Sequence, residues 1–252
     1  MLDRAGNRLA DALRRGESRI GCWLGLDSPA AAEIAAMAGF DWALIDLEHG
    51  EGDLRSAIGV ARALSGTQCD AVLRLPSHDP SGIARALDAG FRSLMLPRVD
   101  TPAQAEAIAQ AAFYPPRGRR GIGGSVLRAA GYGVRGNYTS EAAEELLLIL
   151  QLESRQAIEN LDAIAAVEGV GALFIGAADL SGDMGHGGDP AHPEVQDAVW
   201  QSVERIHAAG VVSGVIDLRP GACRRWEAAG VGLLATASDV VMLLDVLRAT
   251  RG

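Results

Sequence analysis

The chain contains no lysine; all 23 of its basic residues are arginine. That absence excludes a Schiff base between protein and carbonyl substrate, pyridoxal phosphate attachment and a Walker A phosphate loop, because each needs a lysine amine. No GxGxxG follows the first strand-like run, which argues against a Rossmann unit and against NAD as cofactor. No GxSxG elbow is present to build a Ser-His-Asp hydrolase. The three cysteines, Cys22, Cys69 and Cys223, lie far apart without CxxC spacing, so they read as free thiols and not as a disulfide frame or zinc site. Apolar runs are too short to approach the ~20 residues that span a bilayer. The N-terminal stretch MLDRAGNRLADALRRGESR lacks the apolar segment of a signal peptide, so the expectation is a cytoplasmic protein. Positive charge is also in deficit. A net charge of −9 disfavours nucleic acid and anionic membrane surfaces as the main partners.

What is present is a regular alternation. Short apolar runs at Ile20–Leu26, Trp42–Leu47, Ala71–Leu75, Ser93–Pro97, Leu146–Leu152, Ala172–Ile175, Val211–Ile216 and Gly232–Thr236 read as strands. Between them lie helix-forming segments at Ala30–Ala38, Leu54–Leu64, Ser81–Ala89, Pro102–Ala112, Arg155–Val167, Glu194–Ala209, Gly221–Ala229 and Asp239–Thr250. Ser28, Asp53, Thr101 and Ser154 stand where N-caps belong, and Gly39, Gly90, Gly169, Gly210 and Gly230 where helices stop. Eight such βα units without a linker predict one (β/α)8 TIM barrel over residues 1–252, a length that suits the fold. One long interruption, Tyr114–Tyr138, is rich in Gly, Arg and Pro; a loop of that length in a compact domain is usually functional or part of an interface.

Polar residues fall at one place in the pattern. In LLLILQLES, period-two alternation puts Leu147, Ile149, Gln151 and Glu153 on one face and an all-leucine set on the other. Asp46, Glu48, His49, Arg74, Gln151, Glu153 and Asp179 all sit at or just beyond the C-terminal ends of strands, which in a barrel share one rim, the rim that carries active sites. Glu153 and Asp179 are candidate ligands for a hard divalent cation, Mg²⁺ or Mn²⁺, although an Asp at Asp179 also suits a helix cap. Such a metal would polarise a 2-keto acid and stabilise its enolate, the electron-withdrawing role that an absent lysine cannot take. Arg74, ending an apolar strand, needs anionic company: it either faces that site or closes the barrel as a salt bridge. His49 suits a general base. His78, His186, His192 and His207 read as surface residues. Trp23 either lines the pocket or fills the barrel interior. RGIGGS has the glycines of a phosphate turn but no lysine, and three local arginines (Arg117, Arg119, Arg120) read as a solvated turn or an anion contact.

The stretches GCWLGLDSP, AGFDWALIDLEHG, VLRLP, LDAGFRSLMLPRVDT, YPPRGRRGIGGSVLRAAGYG, LQLES, NLDAIAAVEGVGALFIGAADLSGDMG and HPEV occur in that order. Together they resemble the HpcH/HpaI aldolase family of metal-dependent pyruvate aldolases, over about residues 7–195. The resemblance implies His49 as catalytic base, Arg74 as enolate stabiliser and Asp88 as the carboxylate that makes the histidine more basic. It further implies Glu153 and Asp179 as metal ligands, with Gln151 and the backbone around Ala178 and Asp179 binding pyruvate. The implied metal is Mg²⁺ or Mn²⁺, with Co²⁺, Ni²⁺ or Zn²⁺ also possible. The implied reaction is reversible cleavage of 4-hydroxy-2-keto acids to pyruvate and an aldehyde, in a homo-oligomer, typically a hexamer, with the Gly/Arg loop near a subunit contact.

Two positions depart from the family. Ala177 replaces a frequent proline, so its loop is expected to be less rigid. Asp217 stands after the seventh strand where an apolar residue is usual, and is expected to bias the aldehyde pocket away from anionic acceptors. The rival functions are oxaloacetate decarboxylation or another pyruvate-enolate reaction at the same site and, in a different class, a non-catalytic barrel used for binding.

Overall fold

The computed structural model describes residues 6–251; residues 1–5 and 252 of the expected 1–252 domain lie outside the described residues. Eight parallel strands close on themselves in chain order: β1 (Arg19–Leu24), β2 (Trp42–Asp46), β3 (Asp70–Arg74), β4 (Ser93–Leu96), β5 (Leu147–Leu152), β6 (Val170–Ile175), β7 (Val212–Ile216) and β8 (Leu233–Ser238), with β8 pairing back onto β1. Every expected strand is found, displaced at its ends by at most two residues.

The helices form the outer layer: α1 (Arg8–Arg14), α2 (Pro29–Met37), α3 (Leu54–Leu64), α4 (Pro80–Asp88), α5 (Pro102–Ala112), α6 (Tyr138–Glu145), α7 (Arg155–Glu159), α8 (Leu161–Ala165), α9 (Ala177–Asp183), α10 (Pro193–Ala208), α11 (Ala222–Ala228) and α12 (Asp239–Arg251). Ser28, Asp53, Thr101 and Ser154 cap α2, α3, α5 and α7 as expected, each side chain accepting from a first-turn N–H. The segment expected as one helix over Arg155–Val167 breaks at Asn160, the residue between α7 and α8. Helices α1, α6 and α9 have no counterpart in the sequence reading.

Alternation along the strands sorts side chains into two cores. Trp42, Leu44, Val72, Met95, Leu147, Ile149, Ala172, Phe174, Leu233 and Ala235 fill the barrel, whose strand-N-terminal end is plugged by Leu9, Ala10 and Leu13 of α1. The opposite parity, including Leu148, Leu150 and Leu152, packs against the helices. Burial of a Val, Leu, Ile or Phe contributes roughly 1.5–3 kcal/mol, so these two cores are the main apolar source of the barrel's stability.

Two regions stand apart from this scheme. The loop after α5 lies at the strand-N-terminal end, because helices of a barrel run back from the rim; it leaves Ile122, Val126, Tyr132 and Val134 exposed. Helix α12 is anchored at its start, where the Asp239 carboxylate accepts from the N–H groups of Gly25 and Leu26 at 2.9 and 3.2 Å. Beyond that anchor it buries no residue and leaves Met242, Leu243, Leu244, Val246 and Leu247 exposed. No helix of the described residues is long and apolar enough to cross a membrane.

Candidate active site

The C-terminal ends of β1, β2, β3, β5 and β6 bring a polar cluster to the barrel mouth. Trp23, Asp46, Arg74 and Gln151 occupy the inward parity, with Glu153 two residues beyond Gln151. Asp46 organises one half. Its carboxylate accepts from Arg74 Nε and Nη2 at 2.9 and 2.6 Å and from Trp23 Nε1 at 3.0 Å. It also accepts from the backbone N–H groups of Glu48 and His49 at 2.9 and 3.2 Å. Burial raises the Asp46 pKa, but the Arg74 hydrogen bonds and charge, together with the other donors, pull it lower on balance. One buried acid thus fixes the Arg74 fork, the Trp23 ring and the turn that presents Glu48 and His49.

The structure places Arg74 between two acids. It closes a buried ion pair with Asp46, and its Nη1 lies 2.7 Å from Glu48 Oε2 at the mouth. Glu48 Oε2 nevertheless lacks a hydrogen bond of good geometry. The Trp23 ring lies 4.9 Å from the Arg74 guanidinium carbon and packs on Phe174 inside the barrel. The His49 side chain is 65% exposed on the rim, its Nε2 3.9 Å from Glu48 Oε1.

The other half of the mouth is under-satisfied. Glu153 Oε1 accepts from the N–H of Arg98 at 2.7 Å, and Arg98 itself adopts φ 55°, an uncommon conformation for a non-glycine residue. Glu153 Oε2 and Gln151 Oε1 are buried without a partner among the described residues. Burial pushes the Glu153 carboxyl up to about 7, and the charges of Asp179 and Glu48 add to the rise. Burial, with Asp46 and Asp179, also raises Glu48, against the pull of Arg74 and His49. Asp179 is exposed in the first turn of α9, beside Ala178, where helical N–H groups have no partner within the helix. Gly176, between β6 and α9, keeps the space in front of these groups open: a Cβ there would stand 2.6 Å from Glu153 Oε2 and 2.9 Å from Gln151 Nε2.

Three mutually repelling carboxylates, an unpartnered buried carboxylate oxygen and an unpartnered amide oxygen fit a hard divalent cation, whose charge and oxygen preference would relieve all of these strains. Glu153 and Asp179, with Glu48 nearby, are the residues that could hold it.

Within one chain, two expected residues lie away from the mouth. Asp88 ends α4, the helix that runs back from the rim, so the fold places it at the strand-N-terminal end; there its Oδ1 accepts from Arg120 Nη2 at 2.7 Å. Within one chain it does not meet His49, and Glu48 is the carboxylate beside that ring. Asp217 does not face the aldehyde side of the mouth. Ile216 points into the barrel, so the next residue points out, between α10 and α11, where Arg219, Arg225 and Trp226 hold its carboxylate.

The sequence sets Asp46 and Glu48 on the rim beside His49, as carboxylates that would raise its basicity, but gives no sign that Asp46 holds Arg74 and Trp23; its even spacing with Leu44 is the available signal. Arg98 and Gly176 gave no signal, since one acts through its backbone and the other through the absence of a side chain.

Acids, an arginine and a histidine thus gather at the C-terminal mouth of a closed parallel barrel, the face on which barrels of this kind carry their active sites. The model of the HpcH/HpaI aldolase/citrate lyase family matches residues 19–234. A hydroxypyruvate/pyruvate aldolase of Pseudomonas aeruginosa is 43% identical over 251 residues, covering 100% of this chain and 94% of that protein. A 2-keto-3-deoxy-L-rhamnonate aldolase of Klebsiella pneumoniae is 41% identical over 96% of this chain and 90% of its own length. A crystal structure of an HpcH/HpaI aldolase/citrate lyase family protein from Burkholderia cenocepacia J2315 superposes with a TM-score of 0.92 at 37% identity, covering 97% of both chains. The chain belongs to the HpcH/HpaI aldolase/citrate lyase family and is an enzyme of the lyase type.

Proposed function

We propose that the chain is a divalent-metal-dependent aldolase that reversibly cleaves 4-hydroxy-2-keto acids to pyruvate, or a similar 2-keto acid, and an aldehyde. The observation that carries the reading is the acid cluster at the mouth of a barrel without lysine, in which Glu153 Oε2 and Gln151 Oε1 are buried and unpartnered.

A divalent cation held by Glu153 and Asp179, Mg²⁺ or Mn²⁺ by the all-oxygen donor set, supplies Lewis-acid polarisation of the keto acid. The rest falls to the chain. Arg74, locked by Asp46 and Trp23, presents a fixed positive charge where the keto oxygen gains negative charge. Gln151 and the N–H groups of Ala178 and Asp179 orient the carboxylate of the 2-keto acid. His49, exposed on the rim beside Glu48, takes the proton from the aldol hydroxyl in cleavage and delivers a proton to the enolate carbon that becomes the pyruvate methyl; synthesis runs both transfers in reverse. The deciding experiment follows hydrogen–deuterium exchange of the pyruvate methyl group by NMR in chelator-stripped protein. The reading expects exchange only when Mg²⁺ or Mn²⁺ is restored, and it fails if stripped protein exchanges at full rate.

We also read the protein as a cytoplasmic homo-oligomer, a hexamer by resemblance. The bare apolar face of α12 supports self-association, because a soluble chain gains by covering it. Sedimentation showing a monomer at micromolar concentration ends that part of the reading.

A further inference from the structure

A second group of potential metal donors lies apart from the mouth cluster. His186, in the loop that follows α9, and His192 and Glu194, at the start of α10, offer three ligand atoms that all lie within 4.8 Å of one another. The two imidazoles stack with centroids 3.6 Å apart and planes 14° from parallel, and His186 Nε2 lies 2.8 Å from Glu194 Oε2. His192 Nδ1 is buried without a partner, and although His192 precedes the first turn of α10 its ring caps no N–H there. A buried ring nitrogen left unpaired costs about 1–3 kcal/mol, so this one calls for a partner. The loop is built to hold the rings close. Gly185, Gly187 and Gly188 all have positive φ, and the His186 N–H bonds the Ser181 carbonyl at 2.8 Å, tying the loop to the end of α9.

We propose that His186, His192 and Glu194 form a second metal site, selective for a borderline transition ion such as Zn²⁺, Co²⁺ or Ni²⁺. Two imidazoles and one carboxylate are the donor set such ions favour, whereas the all-oxygen mouth suits Mg²⁺ or Mn²⁺. Zinc–nitrogen bonds of about 2.0–2.1 Å put tetrahedral donors about 3.3 Å apart. Binding would require the two stacked rings to rotate about Cβ–Cγ so that their nitrogens converge from the present spacing within 4.8 Å. Glu194 is exposed, so solvent can fill the fourth position. The ion would bridge the end of α9, whose first turn carries Asp179, to the start of α10, and so brace the helix that serves the mouth.

The test uses the full chain stripped by chelator and then dialysed against Zn²⁺ or Mg²⁺, with bound metal counted per chain. The proposal expects that Glu153→Gln still binds one Zn²⁺, and that His186→Ala/His192→Ala loses one Zn²⁺ relative to wild type while its Mg²⁺ binding is unchanged. Co²⁺ added to Glu153→Gln should give the intense visible bands of a four-coordinate nitrogen site, absent from the double-histidine variant. Circular dichroism confirms that the variants fold; Glu194→Gln is the milder change and should weaken Zn²⁺ without removing a ring. The proposal is overturned if the double-histidine variant binds as much Zn²⁺ as wild type, or if Glu153→Gln binds none. A failure of the mouth reading looks different: wild type then holds a single Zn²⁺ that disappears with the histidines.

Discussion

Two buried acids show opposite solutions to the same problem. Asp217, outside the barrel after β7, accepts five hydrogen bonds. The Arg219 N–H and Nε lie 3.1 and 2.8 Å from its Oδ1; Arg219 Nη2, Arg225 Nη2 and Trp226 Nε1 lie 2.8, 2.7 and 2.9 Å from its Oδ2. Burial alone would raise its pKa, yet those donors bring it down to about 2. Glu153, inside the mouth, suffers the same burial with one backbone donor and two acidic neighbours, and is pushed up to about 7. An acid whose bonds are complete is part of the framework. An acid left short of partners beside other acids is held ready for something that arrives from solution, and the contrast separates architecture from chemistry without reference to any relative.

That contrast breaks first at Glu153. Glu153→Gln keeps the shape and removes the charge; kcat/KM for pyruvate-forming cleavage should fall on the order of 10³-fold or more, with an unchanged or higher Tm for the metal-free protein. Retained activity would move the metal elsewhere. Arg74→Lys should cost about 10²-fold, since an ammonium cannot span both Asp46 oxygens and still reach the mouth. A loss below a few-fold in steady-state assays would reduce Arg74 to a barrel brace. Gly176→Ala drives a methyl toward Glu153 Oε2 and Gln151 Nε2, and kcat/KM should drop about tenfold; wild-type kinetics would show that the mouth is less tightly built than described.

Asp217→Ala should do the reverse of Glu153→Gln. Stability measured by urea unfolding should fall by about 3 kcal/mol, because Trp226 Nε1 and two guanidinium groups lose their acceptor. The kcat/KM ratio between anionic and neutral aldehydes should stay constant, and a shifted ratio would restore Asp217 to the aldehyde pocket. The smallest effect is in pH. The folded-state pKa of Asp217 is depressed, so its stabilisation is complete above the ordinary carboxylate range near 3.8 and disappears as pH falls from there through about 2. Acid unfolding of wild type and Asp217→Ala should therefore converge over that window, and parallel curves would contradict the assignment.

Much of this was legible because strands carry a period of two. Once Leu147, Ile149 and Gln151 share a face, Glu153 follows, and the whole mouth can be read from the polar ends of apolar runs. The same rule, applied from Ile216, sends Asp217 outward; reading chain position without parity produced the error. Within one chain Asp88 lies away from the mouth for a related reason. Its helix was correctly placed, but a helix C-terminus belongs to the far end of a barrel. The short helices α1, α6 and α9, of 7 or 8 residues, stand outside the strand–helix alternation that marks the others, including the equally short α11. Arg98 and Gly176 could not be found from side-chain chemistry at all.

The central claim is that the mouth acids are left unsatisfied in order to take a divalent cation. The most direct test is Mn²⁺ binding to chelator-stripped protein, followed through the loss of the free-ion EPR signal, in wild type and Glu153→Gln. The account predicts one Mn²⁺ per wild-type chain, displaced by Mg²⁺, and no comparable binding in the variant. Equal affinity in both proteins would contradict it.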